Sequence, residues 1–212
     1  SGNEELLIRT YHTVCQWISV LAIPPAMILA FFAAPVLRLW TQQSDLAQSA
    51  APMLIPLAIG NLLNTFMIVP CVLQVAHGRA GLVARLNLVA VVVMVPIIFL
   101  LVPQYGAAAA AWIWVALNMG YVLLAIPLMH RDVIPSARAR WYTDDLLKPL
   151  LIGLSVSIGA FSVSSMNGNR VFEIVQLSII VALATVLCGV SSSYPRASIY
   201  SFVRKFRKDT HA

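Results

Sequence analysis

Residues 86–103 read LNLVAVVVMVPIIFLLVP, eighteen positions with one amide and no charge. With its flanks, that run is long enough to cross a hydrocarbon layer about 30 Å thick. Arg85 stands directly before it and Gln104-Tyr105-Gly106 directly after, so both ends are marked by polar residues or turn formers. Working outward, five more apolar stretches cover residues 14–37, 52–76, 106–129, 147–166 and 171–190. Each is of the order of the 20 residues that a crossing helix requires. Inside a bilayer every backbone amide must bond within the protein, so the spans are helices or strands of a closed barrel. Uninterrupted apolar runs, rather than ten-residue alternation, select helices. The predicted fold class is therefore an all-α membrane protein, a bundle of six transmembrane helices.

Composition agrees. The chain is 60% hydrophobic and 10% charged, with a mean hydropathy of +0.85, whereas soluble domains are charged at about a quarter of their positions. The formal charge of +6 does not point to nucleic acid, because the cations lie in short connections and a tail. Arg9, Arg79, Arg85, Arg131, Arg138, Arg140 and Lys148 fall on one set of connections, and Arg196, Arg204, Lys205, Arg207 and Lys208 fall after the last span. Only Arg38 and Arg170 fall on the other set, a division of twelve against two among the 14 Lys and Arg. The positive-inside rule then predicts that both ends of the chain are cytoplasmic. Residues 1–195 read as one six-helix lobe and 196–212 as a basic cytoplasmic tail that can grip anionic lipid or simply set orientation. The opening Ser1-Gly2-Asn3-Glu4-Glu5 has neither a methionine nor a signal-peptide pattern and reads as an interior piece of a longer protein. Cys15, Cys71 and Cys188 all lie in apolar runs without metal-ligand spacing and read as small buried hydrophobes.

Prolines punctuate the spans at Pro24-Pro25, Pro56, Pro70, Pro96, Pro127 and Pro149. Each removes a helix hydrogen bond and predicts a kink; membrane helices also carry more proline than soluble ones. The fourth connection, His130 to Asp145, reads as a longer cytoplasmic loop. Trp40, Tyr105, Trp141, Tyr142 and Tyr194 read as interfacial aromatics.

Asn61 and Asn64 fall near mid-depth of the second span and share a helix face; Asn118 falls near mid-depth of the fourth. An amide in hydrocarbon needs a partner, so these three either line a wet cavity that hydrogen-bonds a hydroxyl-rich cargo or hold helices together. Gln74, His77, Arg79, Arg85 and Asn87 gather around the second connection. Arg85 either faces inward, where its planar fork suits phosphate, or snorkels to the interface. Arg9 and His12 could line the same entrance. Glu173 is expected to reach water and pair with Arg170, and no Asp or Glu is expected to be buried in the spans. No catalytic set, glycine-rich phosphate loop, cofactor motif or metal cluster is legible, so an enzyme is not expected.

Phe31-Phe32-Ala33-Ala34-Pro35-Val36-Leu37-Arg38-Leu39-Trp40-Thr41, then Ala47, Ala50, Ala51, Leu54 and Gly60, follow the pattern of a known family. So do Pro70, Leu73, Gln74, Ala76, His77 and Gly78, and Tyr105-Gly106 followed by alanines and Trp112. Over about residues 5 to 145 the chain resembles the C-terminal half of polysaccharide exporters, the O-antigen flippases of the multidrug/oligosaccharidyl-lipid/polysaccharide superfamily. The resemblance implies a lobe like the C-terminal half of a MATE-like flippase in a bacterial inner membrane. Its implied partners are membrane lipid, an N-terminal lobe and undecaprenyl-pyrophosphate-linked oligosaccharide as cargo. On that reading Asn61, Asn64, Asn118 and Gln74 meet sugar, and Arg85 meets pyrophosphate. The chain departs from such a cavity in lacking cations deep in its spans. Alternatives are a multidrug antiporter of the same superfamily, which requires a buried carboxylate for ion coupling, a membrane enzyme of envelope polysaccharide assembly, or a membrane scaffold.

Overall fold

The computed structural model describes residues 2–164 and 169–198. The sequence also predicts an Asn167-Gly168-Asn169 turn closing the last helical hairpin; its Asn167-Gly168 pair, the end of the fifth predicted span and the tail beyond Ser198 lie outside the described residues. The chain forms α1 (Gly2–Phe31), α2 (Ala33–Thr41), α3 (Ser44–Ala76), α4 (Ala80–Tyr105), α5 (Ala107–Val133), α6 (Pro135–Val163) and α7 (Arg170–Ser191). Among the described residues six of these, all but α2, are long and apolar enough to cross a membrane. Among the described residues the fold is helical, and its six long apolar helices mark a multi-pass membrane protein.

Its layout follows from which helices carry an inward face. α1 packs against α3, α6 and α7 and so occupies the centre. α3 is flanked on its other side by α5, and α4 lies outermost against α5. The main core joins Tyr11, Ile23, Phe66, Ile126, Met129 and Trp141 from α1, α3, α5 and α6. A smaller cluster of Ile28, Phe32, Leu177 and Ile180 joins α1 to α7. α4 contributes no buried side chain, consistent with its uniformly apolar sequence: in lipid, a helix with no polar stripe has no preferred inward side.

Two glycines let helices meet closely. A Cβ on Gly60 would sit 2.4 Å from the Trp114 ring, where α3 meets α5, and one on Gly153 would sit 2.5 Å from Ile23 Cγ2, where α6 meets α1. Gly78 and Gly106 adopt φ of 70° and 71° in the hairpins that end α3 and α4, a left-handed conformation that glycine enters without Cβ strain.

Several boundaries differ from the sequence reading. α1 begins at Gly2, twelve residues before Val14; in this extension Tyr11 and His12 face the bundle interior, while Asn3, Glu4, Glu5, Arg9 and Thr10 stay exposed. It ends at Phe31, and after Phe32 the chain restarts as α2 at Ala33, two residues before Pro35. The expected loop from His130 to Asp145 is mostly helix: α5 continues to Val133 and α6 starts at Pro135. Ile134, Ala137, Trp141, Asp145 and Pro149 recur every three or four residues and are all buried, while Arg138, Arg140 and Lys148 point outward. Trp141 is thus a core residue and not an interfacial one.

The prolines do not break the helices. α1 runs through Pro24 and Pro25, and α3 through Pro52, Pro56 and Pro70. Two widened π-helical turns, Tyr121–Ala125 and Trp141–Leu147, precede Pro127 and Pro149 instead. In α winding the Asp145 carbonyl would face the Pro149 nitrogen, which has no hydrogen. It accepts from Ser19 Oγ at 2.5 Å. In the other turn the Ile126 N–H bonds to Tyr121, and the Val122 carbonyl accepts from the Tyr142 hydroxyl at 2.5 Å. Side chains from neighbouring helices supply the donors that the unusual winding leaves out, as a spanning segment demands.

Candidate functional site: a buried polar knot and an exposed amide face

Three residues of α1, His12, Gln16 and Ser19, are spaced four and three apart and so form one stripe along the helix. All three are buried, and all three bond to Asp145. His12 Nδ1 lies 2.5 Å from Asp145 Oδ2. Gln16 Nε2 donates to Asp145 Oδ1 at 2.9 Å. Gln16 Oε1 in turn accepts from the Tyr194 backbone N–H at 3.0 Å, which brings in the chain that follows α7. The Arg140 guanidinium stacks over the Tyr194 ring at 5.0 Å.

Beside this group the Tyr11 hydroxyl and His130 Nε2 are hydrogen-bonded at 2.7 Å. Trp141 packs against His130 with ring centroids 5.7 Å apart. Gln74 donates to the Met129 carbonyl at 2.6 Å and ties α3 to α5. His12 Nε2 and His130 Nδ1 are buried without a hydrogen-bond partner. A small cavity lined by Cys15, Ser19, Thr65, Trp141 and Asp145 adjoins the knot on its Asp145 side.

A carboxylate and an imidazole in such contact, out of water, form a strong hydrogen bond. The arrangement locks α1 to α6. The sequence expectation that no acidic residue is buried in the spans is therefore corrected at two places. Asp145 is buried because the supposed loop is helical, and Glu173 is buried at the opposite end of the bundle. Glu173 pairs with Arg38 of α2 and does not open to water.

The residues read from sequence as cargo-facing divide in two. Gln74 and Asn118 are fully enclosed. Asn118 Nδ2 donates to the Trp114 carbonyl at 2.8 Å, an assignment within its own helix. Asn61, Asn64 and Arg85 are exposed. Asn61 Oδ1 accepts from Trp114 Nε1 at 3.2 Å. It lies with Thr65 along a groove between α1 and α3 that Ala22, Pro25 and Leu57 also line. Asn61 is 17 residues from Ser44 and 15 from Ala76, so the amide pair sits at the middle of a spanning helix. Arg85 runs back over Gly81, where its guanidinium lies 3.9 Å from a Cβ position, toward the end of α4. His12 is inside the bundle and lines no entrance. Among the described residues no group of three His, Cys, Asp or Glu is arranged to hold a metal ion.

The knot was missed in sequence because His12 lies in a segment read as an N-terminal flank and Asp145 in one read as a loop, so Gln16 and Ser19 of the first predicted span had no visible partner. Two signals carried it: the spacing of His12, Gln16 and Ser19, and the Ala137-Trp141-Asp145 periodicity. Comparison with protein-family models, with curated proteins and with solved structures finds no match.

Proposed function

We propose that this chain is one lobe of a membrane transporter that moves lipid-linked oligosaccharide of the undecaprenyl-pyrophosphate type across a bacterial inner membrane. Its cytoplasmic end is the one that carries Arg79, Arg131 and Arg138. The observation that carries this reading is the pair Asn61 and Asn64, both exposed at mid-span on α3, with Asn61 in the α1/α3 groove. An outward amide at that depth is costly against lipid tails and is well placed against water and a hydroxyl-rich cargo. A second six-helix lobe across a wet cavity provides that environment, and paired lobes with the site at the midplane are a recurring transporter plan.

The test is thiol accessibility. Asn61→Cys and Asn64→Cys, in a background without Cys71, are expected to react with a membrane-impermeant thiol reagent, while Val92→Cys on α4 stays unreactive. Protection of both asparagine positions removes the cavity. Flipping of a lipid-linked oligosaccharide in reconstituted vesicles tests the cargo.

One observation favours a second reading, a multidrug antiporter. Such a protein requires a buried carboxylate for ion coupling, and Asp145 against His12 meets that requirement. Drug-stimulated proton movement in vesicles, lost in Asp145→Asn, would select it over the oligosaccharide exporter.

A further inference from the structure

We propose that the groove between α4 and α5 binds one acyl chain of an anionic phospholipid, with the lipid phosphate at Arg85. The groove is lined by Val89, Ala90, Val93, Ala116 and Leu117, and apart from Tyr121 at one end its walls are apolar. Small residues leave it open: Ala90, Ala116 and Gly120 line it, and a Cβ on Gly120 would meet nothing within 4 Å. From Leu86 to Met94 it follows α4 for about 12 Å at 1.5 Å per residue. That is close to half of a hydrocarbon core about 30 Å thick, the depth of a single leaflet. The length fits an ordinary phospholipid chain whose headgroup lies at the Leu86 end.

That end is also the polar end. Tyr121 donates to Asn87 Oδ1 at 2.8 Å there, and Arg85 lies one turn before Val89 on the same face of α4. Arg79, just before α4, and Arg131, in the last turn of α5, bond Asp132, whereas Arg85 has no carboxylate partner among the described residues. An unpaired guanidinium at the mouth of an apolar, leaflet-deep groove complements a phosphate-headed chain, which its planar fork can hold by two hydrogen bonds. This site is separate from the α1/α3 face and does not depend on the cargo proposed above.

The experiment uses the whole chain in nanodiscs containing a phosphatidylglycerol probe with a photoactivatable acyl chain. Peptides of α4 and α5 are expected to carry most of the label, Arg85→Glu to reduce it several-fold, and Ala116→Leu with Gly120→Leu to abolish it. Unlabelled phosphatidylglycerol should compete, and phosphatidylcholine should not. Thermal melting of the variants separates loss of binding from loss of fold, and Arg85→Lys, which keeps the charge, should retain part of the label. Uniform labelling of all lipid-facing helices, equal labelling by a phosphatidylcholine probe, indifference to Arg85→Glu, or competition only by inorganic phosphate or a polyprenyl phosphate would each overturn the proposal.

Discussion

Asp145 draws its three bonding partners from a single stripe of α1, and two of them satisfy its carboxylate while the third satisfies its backbone. The consequences of removing them differ. His12→Ala leaves a buried carboxylate short of its principal partner, and breaking one side of a buried pair costs about 3–5 kcal/mol. Ser19→Ala strips the donor from a carbonyl that proline has already deprived of one, a loss of about 1–3 kcal/mol. Thermal unfolding in detergent should therefore rank wild type above Ser19→Ala, and Ser19→Ala above His12→Ala. An unchanged melting temperature for both would show that the knot does not hold α1 to α6. At this scale the sequence was legible in part. The mid-span amides could be placed by counting residues from a span end, because depth along a helix is linear in sequence. Whether an amide points outward, as Asn61 does, or inward, as Asn118 does, depends on which neighbour occupies each face. Counting along one helix cannot supply that.

The helices themselves were legible where hydrophobicity alone decides them. α4 shows this best: its apolar run locates the span within a few residues, and its lack of any polar stripe matches its lack of buried side chains. α6 shows the opposite. Its first turns carry Arg138, Arg140 and Asp144 on the outside, and those charges mask the Ala137-Trp141-Asp145 stripe in any reading based on mean hydropathy. The same contrast predicts tolerance. Gly60→Ala drives a methyl into Trp114, and overpacking of this kind costs about 1–3 kcal/mol. Val92→Ala on exposed α4 should stay within about 0.5 kcal/mol, as substitutions away from packed sites do. Melting curves of the two variants side by side check both values.

For the whole molecule, the division of cations predicts that the N-terminal end, the α3–α4 hairpin and the α5–α6 connection share one side of the membrane. Single-cysteine probes near Arg9, Arg79 and Arg138, treated with an impermeant reagent on sealed inverted vesicles, should all react; a split among them would overturn the orientation. The same ends also share a polar interior. α1, α5, α6 and the residues after α7 meet at the knot, whereas at the opposite end Arg38 and Glu173 join α2 to α7. The bundle is thus pinned by polar contacts at both ends and packed by apolar ones between.

The two π-helical turns give that architecture a mechanical property of its own. A turn wound with an extra residue is a phase defect: if it relaxes to ordinary winding, one flank of the helix rotates about its axis by roughly a residue's share of a turn, about 100°. Tyr121–Ala125 and Trp141–Leu147 place such defects on consecutive spans, held by the Tyr142 hydroxyl in one case and by Ser19 in the other. α5 and α6 can therefore act as shafts with slip couplings, exchanging which side chains face inward by spinning in place while the ends of the bundle stay where they are.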